Sequence, residues 1–283
     1  MKAVAIIAVF AMGAWCLASF RPLAAEEDAK SSSGKIYLVG VGPGDPDLAT
    51  IRAVRVIESA DRVYCFASLG KVAARWARPE AIEQMPGFLA KRFYGSNRRC
   101  LAEHRQADAA EAGKRFEAFG AKVRKLVADG KTVAILDAGD ATIFGAWAWV
   151  TEEFDDLPLE VVPGVSAFNA ANAGLKRDVM WGGRRCVVLS GGDVLGVPPQ
   201  EGRMTTPTVF FTHRAPIAEL VPRLLEQYSA DTPVAVVSHA GCRDAQEILQ
   251  ATLDTILDRL ADGGPPPPYL VYVGNILTLQ HKE

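Results

Sequence analysis

The feature that most constrains the fold is a glycine-rich loop that directly follows a short apolar run. The run Ile36–Val39 is typical of a buried first strand. The next eight residues, from Gly40 to Asp47, read GVGPGDPD. Three glycines at alternate positions indicate a backbone that bends sharply and lets another group approach closely. Ligands of α/β sheets bind beyond the carboxyl ends of strands, where this loop is expected.

The loop differs from a dinucleotide-binding loop in two respects. The dinucleotide pattern has glycine at its first, third and sixth positions, whereas Asp45 is sixth counted from Gly40. Pro43 removes a backbone N–H from a loop that would otherwise donate N–H groups to phosphate. A rigid turn that ends in an acid suits a neutral or cationic ligand better than a pyrophosphate. A plain strand-to-helix turn without a ligand is the alternative.

Composition indicates a globular protein and gives no sign of a nucleic-acid partner. The chain has 283 residues, a length sufficient for two ordinary domains. Of these residues, 49% are hydrophobic and 23% are charged, which is typical of a globular protein. Its formal net charge is −2, whereas nucleic-acid binding favours a basic balance.

The first 25 residues have the parts of a secretory signal peptide. Lys2 precedes an apolar run over residues 3–20, and small residues lead to Ala25. We predict export to the periplasm or outside the cell, with residues 26–34 as a linker. An uncleaved membrane anchor is the alternative, because 18 apolar residues are just long enough to span a bilayer as a tether.

Four cysteines follow this leader and are widely separated: Cys65, Cys100, Cys186 and Cys242. They form no CxxC pair, so the sequence predicts no metal site. Disulfides in an oxidising compartment and buried free thiols both remain open.

Apolar periodicity predicts alternating strands and helices over the rest of the chain. The predicted strands are Ile36–Val39, Arg62–Phe66, Thr132–Leu136, Leu159–Val162, Cys186–Ser190, Thr208–Phe211, Val234–Val237 and Tyr269–Val273. The predicted helices are Thr50–Ser59, Ala107–Asp129, Phe144–Glu153, Ser166–Ala173, Ile217–Gln227 and Thr252–Leu260. This pattern predicts an α/β fold with two domains, residues 35–162 and 163–283, and a cleft between them.

Three loops follow predicted strand ends and are expected to meet in that cleft. They are Gly40–Asp45, Ala138–Asp140 and Pro163–Ser166. A local basic segment contains Lys91, Arg92, Arg98, Arg99 and Arg105. It is either a solvated face or a surface that meets the carboxylates of an acidic ligand.

Four stretches together resemble the tetrapyrrole (corrin/porphyrin) methylase family over residues 35–280. They are VGVGPGDPDLATIRAVRVIESADRVYC from Val39, DAGDATIFG from Asp137, EVVPGVSAFNAANA from Glu160, and TPVAVVSHAGCRDAQ from Thr232. The segment Val63–Leu69 is most similar to the precorrin-4 methylase branch. The resemblance implies C-methylation of a tetrapyrrole, such as a corrinoid precursor in cobalamin biosynthesis, with S-adenosylmethionine as cofactor. It also implies a homodimer.

The resemblance further implies a set of residues that bind the methyl donor between the domains. They are Pro43, Ala138, Gly139, Asp140, Ile143, Ser166, Ala167, Thr212 and Gly241. Among them, Ala138–Asp140 would hold the methionyl part, and Gly241 would lie near the adenine. Thr212 stands where the family often has methionine. Positioning would supply most of the catalysis, since no side-chain nucleophile is needed. A cleft filled by Trp147, Trp149 or Phe168 would argue against a donor site.

Two departures from the family pattern affect the choice of a catalytic base. Ala141 replaces a proline in the second glycine loop, and Cys65-Phe66 occupies a place where some members carry Asp. Asp45 is the candidate base for the proton released after methylation, although it alternatively caps a turn. The histidines His104, His213 and His239 are further candidates, for this proton or for a metal in the tetrapyrrole.

The predicted export of the chain conflicts with the predicted cofactor, because S-adenosylmethionine is made in the cytoplasm. The leader is then an anchor with the domain inside, or the donor reaches the outer compartment. A third explanation gives the second functional hypothesis, an exported tetrapyrrole-binding protein on the same fold without methyl transfer.

Overall fold

Two five-stranded sheets organise the part of the chain that the structure describes. This computed structural model describes residues 34–85, 89, 106–179, 186–191, 207–212, 216–260, 264–266 and 268–277. The predicted leader over residues 1–25 therefore lies outside the described residues, as do residues 26–33 of the linker and the basic segment. Among the residues described, no helix is both long and apolar enough to cross a bilayer.

The first sheet is entirely parallel, with strand order β3-β2-β4-β1-β5. Its strands are β1 Lys35–Gly40, β2 Arg62–Cys65, β3 Ile82–Gln84, β4 Thr132–Asp137 and β5 Leu159–Val162. Its helices are α1 Ile51–Ser59, α2 Gly70–Trp76, α3 Gln106–Ala128 and α4 Val150–Glu153. Short 3₁₀ turns lie at Pro46–Leu48, Ala67–Leu69 and Pro79–Ala81. The Thr50 hydroxyl caps α1 by accepting from the amide of Ala53.

The second sheet is mixed, with order β6-β7-β10-β8-β9 and one parallel pair, β6 with β7. Its strands are β6 Val188–Gly191, β7 Thr208–Thr212, β8 Pro233–Ser238, β9 Glu247–Thr252 and β10 Tyr269–Val273. Its helices are α5 Ala167–Leu175, α6 Ile217–Leu225 and α7 Ile256–Arg259, and a 3₁₀ turn lies at Asn275–Leu277.

Each sheet has an apolar core on both faces, because successive strand residues point to opposite sides. Leu38 packs into one core of the first sheet and Val39 into the other. In the second sheet, Phe211 faces α5 and Phe210 faces α6. The predicted α/β class is confirmed. Both sheets belong to one compact unit, Gly34–Glu283, so the division into two domains stays a prediction.

Two predicted helices are wrong in most of their length. In the segment predicted as Phe144–Glu153, only Val150–Glu153 is helical, because Phe144 has a φ of +54° and the preceding loop folds as turns. The predicted helix from Thr252 to Leu260 is helical only over α7, and Thr252 ends strand β9. The sequence did not reveal β9, because this edge strand is only half-buried and lacks a clear apolar alternation.

Candidate functional site

Three loops meet where neighbouring strands of the first sheet end. Strands β4, β1 and β5 lie side by side, so the loops that follow them leave the same edge. In chain order, the first loop follows Gly40, the second follows Asp137 and the third follows Val162. The first two loops are joined by a pair of backbone hydrogen bonds. Gly42 N donates to Gly139 O at 3.1 Å, and Gly139 N donates to Gly42 O at 2.8 Å. The three loops thus meet at one edge of the sheet, whereas their meeting in a cleft between two domains stays a prediction.

The convergence depends on a backbone contact among Gly40, Gly139 and Gly164, which we call the glycine contact. A Cβ at Gly40 would lie 2.8 Å from the carbonyl O of Gly139 and 2.8 Å from the amide N of Gly164. A Cβ at Gly164 would overlap the carbonyl O of Gly139. Gly139 also has a φ of +72°, which favours glycine. The three loops can therefore approach closely only because no side chain stands between them.

Asp140 fastens the second loop to the third through its carboxylate. Its Oδ2 accepts from the Gly164 amide at 3.1 Å, and its Oδ1 accepts from the Thr142 amide at 2.7 Å and from the Thr142 hydroxyl. The side chain is buried, so these bonds replace water. The Asp140 carboxylate therefore links the second loop to the third by hydrogen bonds.

Replacing Asp140 with Ala is expected to lower the free energy of unfolding by about 2 kcal/mol, since two partly buried backbone amides lose their acceptor. Thr142→Val removes only the hydroxyl bond and is the matched control, with an expected loss below about 1 kcal/mol. Urea unfolding of the three proteins measures both values. Equal losses in the two variants would contradict the role of the Gly164 bond.

Asp137, the last residue of β4, is a buried carboxylate that the sequence analysis did not single out. Its Oδ2 accepts from the amide of Trp147 at 3.2 Å. Burial raises the pKa of the Asp137 carboxyl to about 6, although the amides of Trp147, Ala146 and Ala138 favour the charged form. The charge of Asp140 adds to the increase. Its place directly before a glycine loop at a strand end was the signal in the sequence.

A second contact joins the first loop to the turn after β8. Asp45 N donates to the carbonyl of Gly241 at 3.0 Å, and the amide of Arg243 donates to Asp45 Oδ2 at 2.9 Å. A Cβ at Gly44 would lie 2.7 Å from the amide N of Cys242. Asp45 thus ties the two halves of the chain together through backbone groups. Its role as a catalytic base stays a prediction.

The guanidinium of Arg243 forms an exposed ion pair with Asp47 at 2.7 Å. Both side chains are more than half exposed, so Arg243→Ala is expected to change the free energy of unfolding by less than about 0.5 kcal/mol. The bond from the Arg243 backbone to Asp45 survives in that variant. Asp45→Ala removes it and is expected to cost about 1 kcal/mol. Chemical unfolding of the two variants compares them, and a larger loss in Arg243→Ala would contradict this assignment.

A cleft of about 290 Å³ lies against this second contact. Its lining residues are Asp45, Asp47, Leu48, Ala170, Ala173, Gly174, Gly241, Cys242, Arg243 and Gln246. Only Asp45 and Gly241 among them belong to the predicted site. Gln246 holds the turn, because its side-chain oxygen accepts from the Gly241 amide at 3.0 Å. Burial, with help from Asp45, raises the pKa of the Cys242 thiol, so a reactive thiolate is disfavoured there.

The other predicted donor-binding residues lie on both sides of the loops. Pro43 and Gly241 face each other, since a Cβ at Gly241 would lie 3.1 Å from Pro43 Cγ. Ile143 and Ala167 pack against the core between the second sheet and α5. These positions bring the first half of the chain into contact with the second.

Two predicted residues use their side chains within the protein. The Ser166 hydroxyl caps α5 by accepting from the Asn169 amide at 3.2 Å. The Thr212 hydroxyl is buried, donates to the Tyr269 carbonyl and accepts from the Tyr269 amide at 3.2 Å. A contact from Thr212 to a ligand would therefore come from its backbone.

The three aromatic side chains whose presence in a cleft would argue against a donor site lie in the cores or beside them. Trp147 and Trp149 belong to the core of the first sheet, where Trp147 stacks on Phe66 with ring centroids 4.3 Å apart. Phe168 stacks on Tyr272 beside the second sheet, with ring centroids 6.4 Å apart.

The histidine candidates are only partly within the described residues. His239 lies in the turn after β8 with a φ of +49°, whereas His104 and His213 fall outside. Over the described parts of the chain, no three His, Cys, Asp or Glu side chains cluster closely enough to hold a metal ion. Cys65, Cys186 and Cys242 are free thiols, and Cys100 lies outside the described residues.

Comparison with known proteins identifies the family. The model of the family described as Tetrapyrrole (Corrin/Porphyrin) Methylases matches residues 35–257. The chain belongs to the tetrapyrrole methylase family. The family expected from the four sequence stretches is thus confirmed, and its model spans the strand-end loops and the turn at Gly241.

Two kinds of enzyme appear among the relatives of this tetrapyrrole methylase. It is 31% identical to the precorrin-4 C(11)-methyltransferase of Mycobacterium tuberculosis over 257 residues, which are 87% of this chain and 92% of the relative. It is 29% identical to the siroheme synthase of Psychrobacter arcticus over 262 residues, which are 89% of this chain and 44% of the relative. The chain thus spans about half the length of the siroheme synthases that it matches. The predicted precorrin-4 branch stays a prediction.

Solved structures of the family share the fold of this chain. The cobalt precorrin-4 methyltransferase structure has a TM-score of 0.67 at 20% identity and covers 92% of this chain and 100% of its own. A uroporphyrin-III C-methyltransferase from Thermus thermophilus, complexed with S-adenosylhomocysteine, has a TM-score of 0.58 at 21% identity. This match covers 86% of this chain and 99% of the other.

Proposed function

We propose that the protein transfers a methyl group from S-adenosylmethionine to a carbon of a tetrapyrrole, a corrinoid or precorrin-like precursor. The observation that carries this proposal is the convergence of three strand-end loops at the glycine contact of Gly40, Gly139 and Gly164. Membership of the tetrapyrrole methylase family and the relative that methylates precorrin-4 support it.

The residues present fit such a cofactor, because the glycines of these loops leave backbone groups uncovered by side chains. Gly139 faces the backbone of residues 165–167 across a small gap. A Cβ at Gly139 would occupy part of this gap, 3.6 Å from the amide N of Ala167. S-adenosylmethionine supplies a methyl group on a sulfonium cation for transfer to a nucleophilic carbon. Ala138–Asp140, with Ile143, Ser166 and Ala167, would hold the donor.

The contribution of the protein to this reaction is mainly positional. Asp140 and the glycine contact hold the donor loops in one arrangement, and positioned reactants need no further orientation. Asp45, at the border of the 290 Å³ cleft, is the proposed acceptor of the proton that the methylated carbon releases. The Arg243 amide donates to Asp45 Oδ2 and so orients the carboxylate.

One observation favours the alternative of a tetrapyrrole-binding protein without methyl transfer. Cys65 stands where some members of the family carry an acid, and burial raises the pKa of its thiol. A neutral, buried thiol is a poor acid–base group. The predicted export over residues 1–25 supports the same alternative, and a homodimer accompanies either function.

Isothermal titration calorimetry of the protein with S-adenosylhomocysteine tests the donor site. We expect saturable binding with one ligand per chain. Gly44→Ala, which places a methyl group against Cys242, is a variant that disturbs the second contact and should weaken this binding. The absence of binding would exclude methyl transfer. A separate titration with a tetrapyrrole, followed by absorbance, then decides whether the alternative holds.

A further inference from the structure

Phe144 is a bulky residue in a backbone conformation that such residues rarely adopt. Its φ is +54°, and 37% of its surface remains exposed. Strained residues that persist in a fold are concentrated at functional sites. Because more than a third of Phe144 stays exposed, burial only partly offsets this strain, which suggests a role for the ring itself.

The ring of Phe144 crosses from the first-sheet loop to the second sheet. It lies against the ring of Phe211 in β7, with centroids 4.7 Å apart and planes 36° apart. Gly191 in β6 is the register partner of Phe211, and a Cβ at Gly191 would lie 3.8 Å from Phe144 Cε1. We call Phe144 and Phe211, with Gly191 beside them, the aromatic shelf. Phe211 is buried, so it supports the more exposed Phe144 from one side.

The aromatic shelf lies next to the proposed donor site. Ile143, the preceding residue, packs on the core that also contains Phe211. Gly241, which the family resemblance places near the adenine, has Leu48, Pro43 and Ala170 as its nearest neighbours. The two aromatic rings are therefore adjacent to the donor loop but are not among the nearest neighbours of the adenine position.

We propose that Phe144, supported by Phe211, stacks against one ring of the tetrapyrrole substrate and positions its carbon for methylation. This inference rests on the proposed function. Conjugated heterocycles stack favourably on aromatic faces, and a second ring behind the first holds that face in place. Gly191 places no side chain against the Phe144 ring, and the exposed part of Phe144 is the surface open to such a ligand.

The test measures binding of uroporphyrin III, a stable conjugated tetrapyrrole, by absorbance and fluorescence. Phe144→Leu keeps apolar bulk and removes the aromatic face, and we expect about tenfold weaker uroporphyrin binding. Phe144→Tyr keeps the ring and should bind within about twofold of the unaltered protein. Leu225→Ala alters a similarly exposed apolar residue at the end of α6 and serves as the matched control, with unchanged binding.

Calorimetry with S-adenosylhomocysteine on the same variants separates this inference from the proposed function. Unchanged affinity for S-adenosylhomocysteine in Phe144→Leu, with weaker uroporphyrin binding, supports a substrate shelf. A loss of S-adenosylhomocysteine affinity with normal uroporphyrin binding would assign the shelf to the donor and overturn the inference. Donor binding by the unaltered protein without any uroporphyrin binding would also overturn it, while methyl transfer to another substrate stays possible. Failure to bind either ligand would overturn both.

Discussion

Replacing Gly164 with Ala is expected to destabilise the protein by about 3 kcal/mol or more and to weaken S-adenosylhomocysteine binding at least about tenfold. The new Cβ would overlap the carbonyl O of Gly139 and lie 2.7 Å from the carbonyl C of Gly40. Both neighbours are backbone atoms of central strands or their loops, so they cannot rotate away as a side chain can. The strand-end loops must separate, and the amide of Gly164 then moves from Asp140.

Gly113→Ala is the matched control for this variant, since it adds the same methyl group in open space. Gly113 lies exposed within α3, and a Cβ there meets no atom within 4 Å. Alanine has a higher helix propensity, so this variant is expected to gain about 1 kcal/mol. Chemical unfolding and calorimetry compare the two variants. A Gly164→Ala protein with normal stability and normal binding would show that the glycine contact is not required.

The contribution of Asp137 to the free energy of unfolding is expected to fall by about 2 kcal/mol as pH rises from about 4 to about 6, and by about 3 kcal/mol in all. The Asp137 carboxyl has a pKa of about 6 in the folded chain and 3.8 as its ordinary value. Between these two values the folded state holds a proton that the unfolded state has released. Folding is therefore favoured at the acidic end of the window, and the loss levels off above about pH 7.

Urea unfolding across this pH window gives the free energy of unfolding against pH for the unaltered protein and for Asp137→Asn. The difference between the slopes of these two curves measures the effect of Asp137. Asp61→Asn is the control. Burial works to raise the pKa of Asp61, but the Thr132 amide and the cations of Lys131 and Arg78 outweigh it and lower that pKa below 3.8. Asp61 therefore acts at more acidic pH and with the opposite sign. An unchanged slope between pH 4 and 6 in Asp137→Asn would contradict the buried carboxylate as its source.

The arrangement of strands and loops was largely predictable from local sequence. Apolar runs bounded by glycine or proline marked the strands that precede the converging loops, such as Ile36–Val39 and Leu159–Val162. The glycines after these runs then indicated loops that approach closely. The segment Phe144–Glu153 misled the prediction, since its apolar spacing fits a helix while Asp137 and Gly145 hold it as turns.

The sequence by itself determined the α/β class, the family, and the three loops that follow strand ends. It did so because periodicity, turn residues and short motifs are local properties of the chain. Only the tertiary structure decided which groups those loops hold. Asp140 binds the Gly164 amide, Asp45 binds the Arg243 amide, and Phe144 reaches Phe211. These partners are distant in sequence, and their pairing depends on strand order and backbone approach, which no local pattern contains.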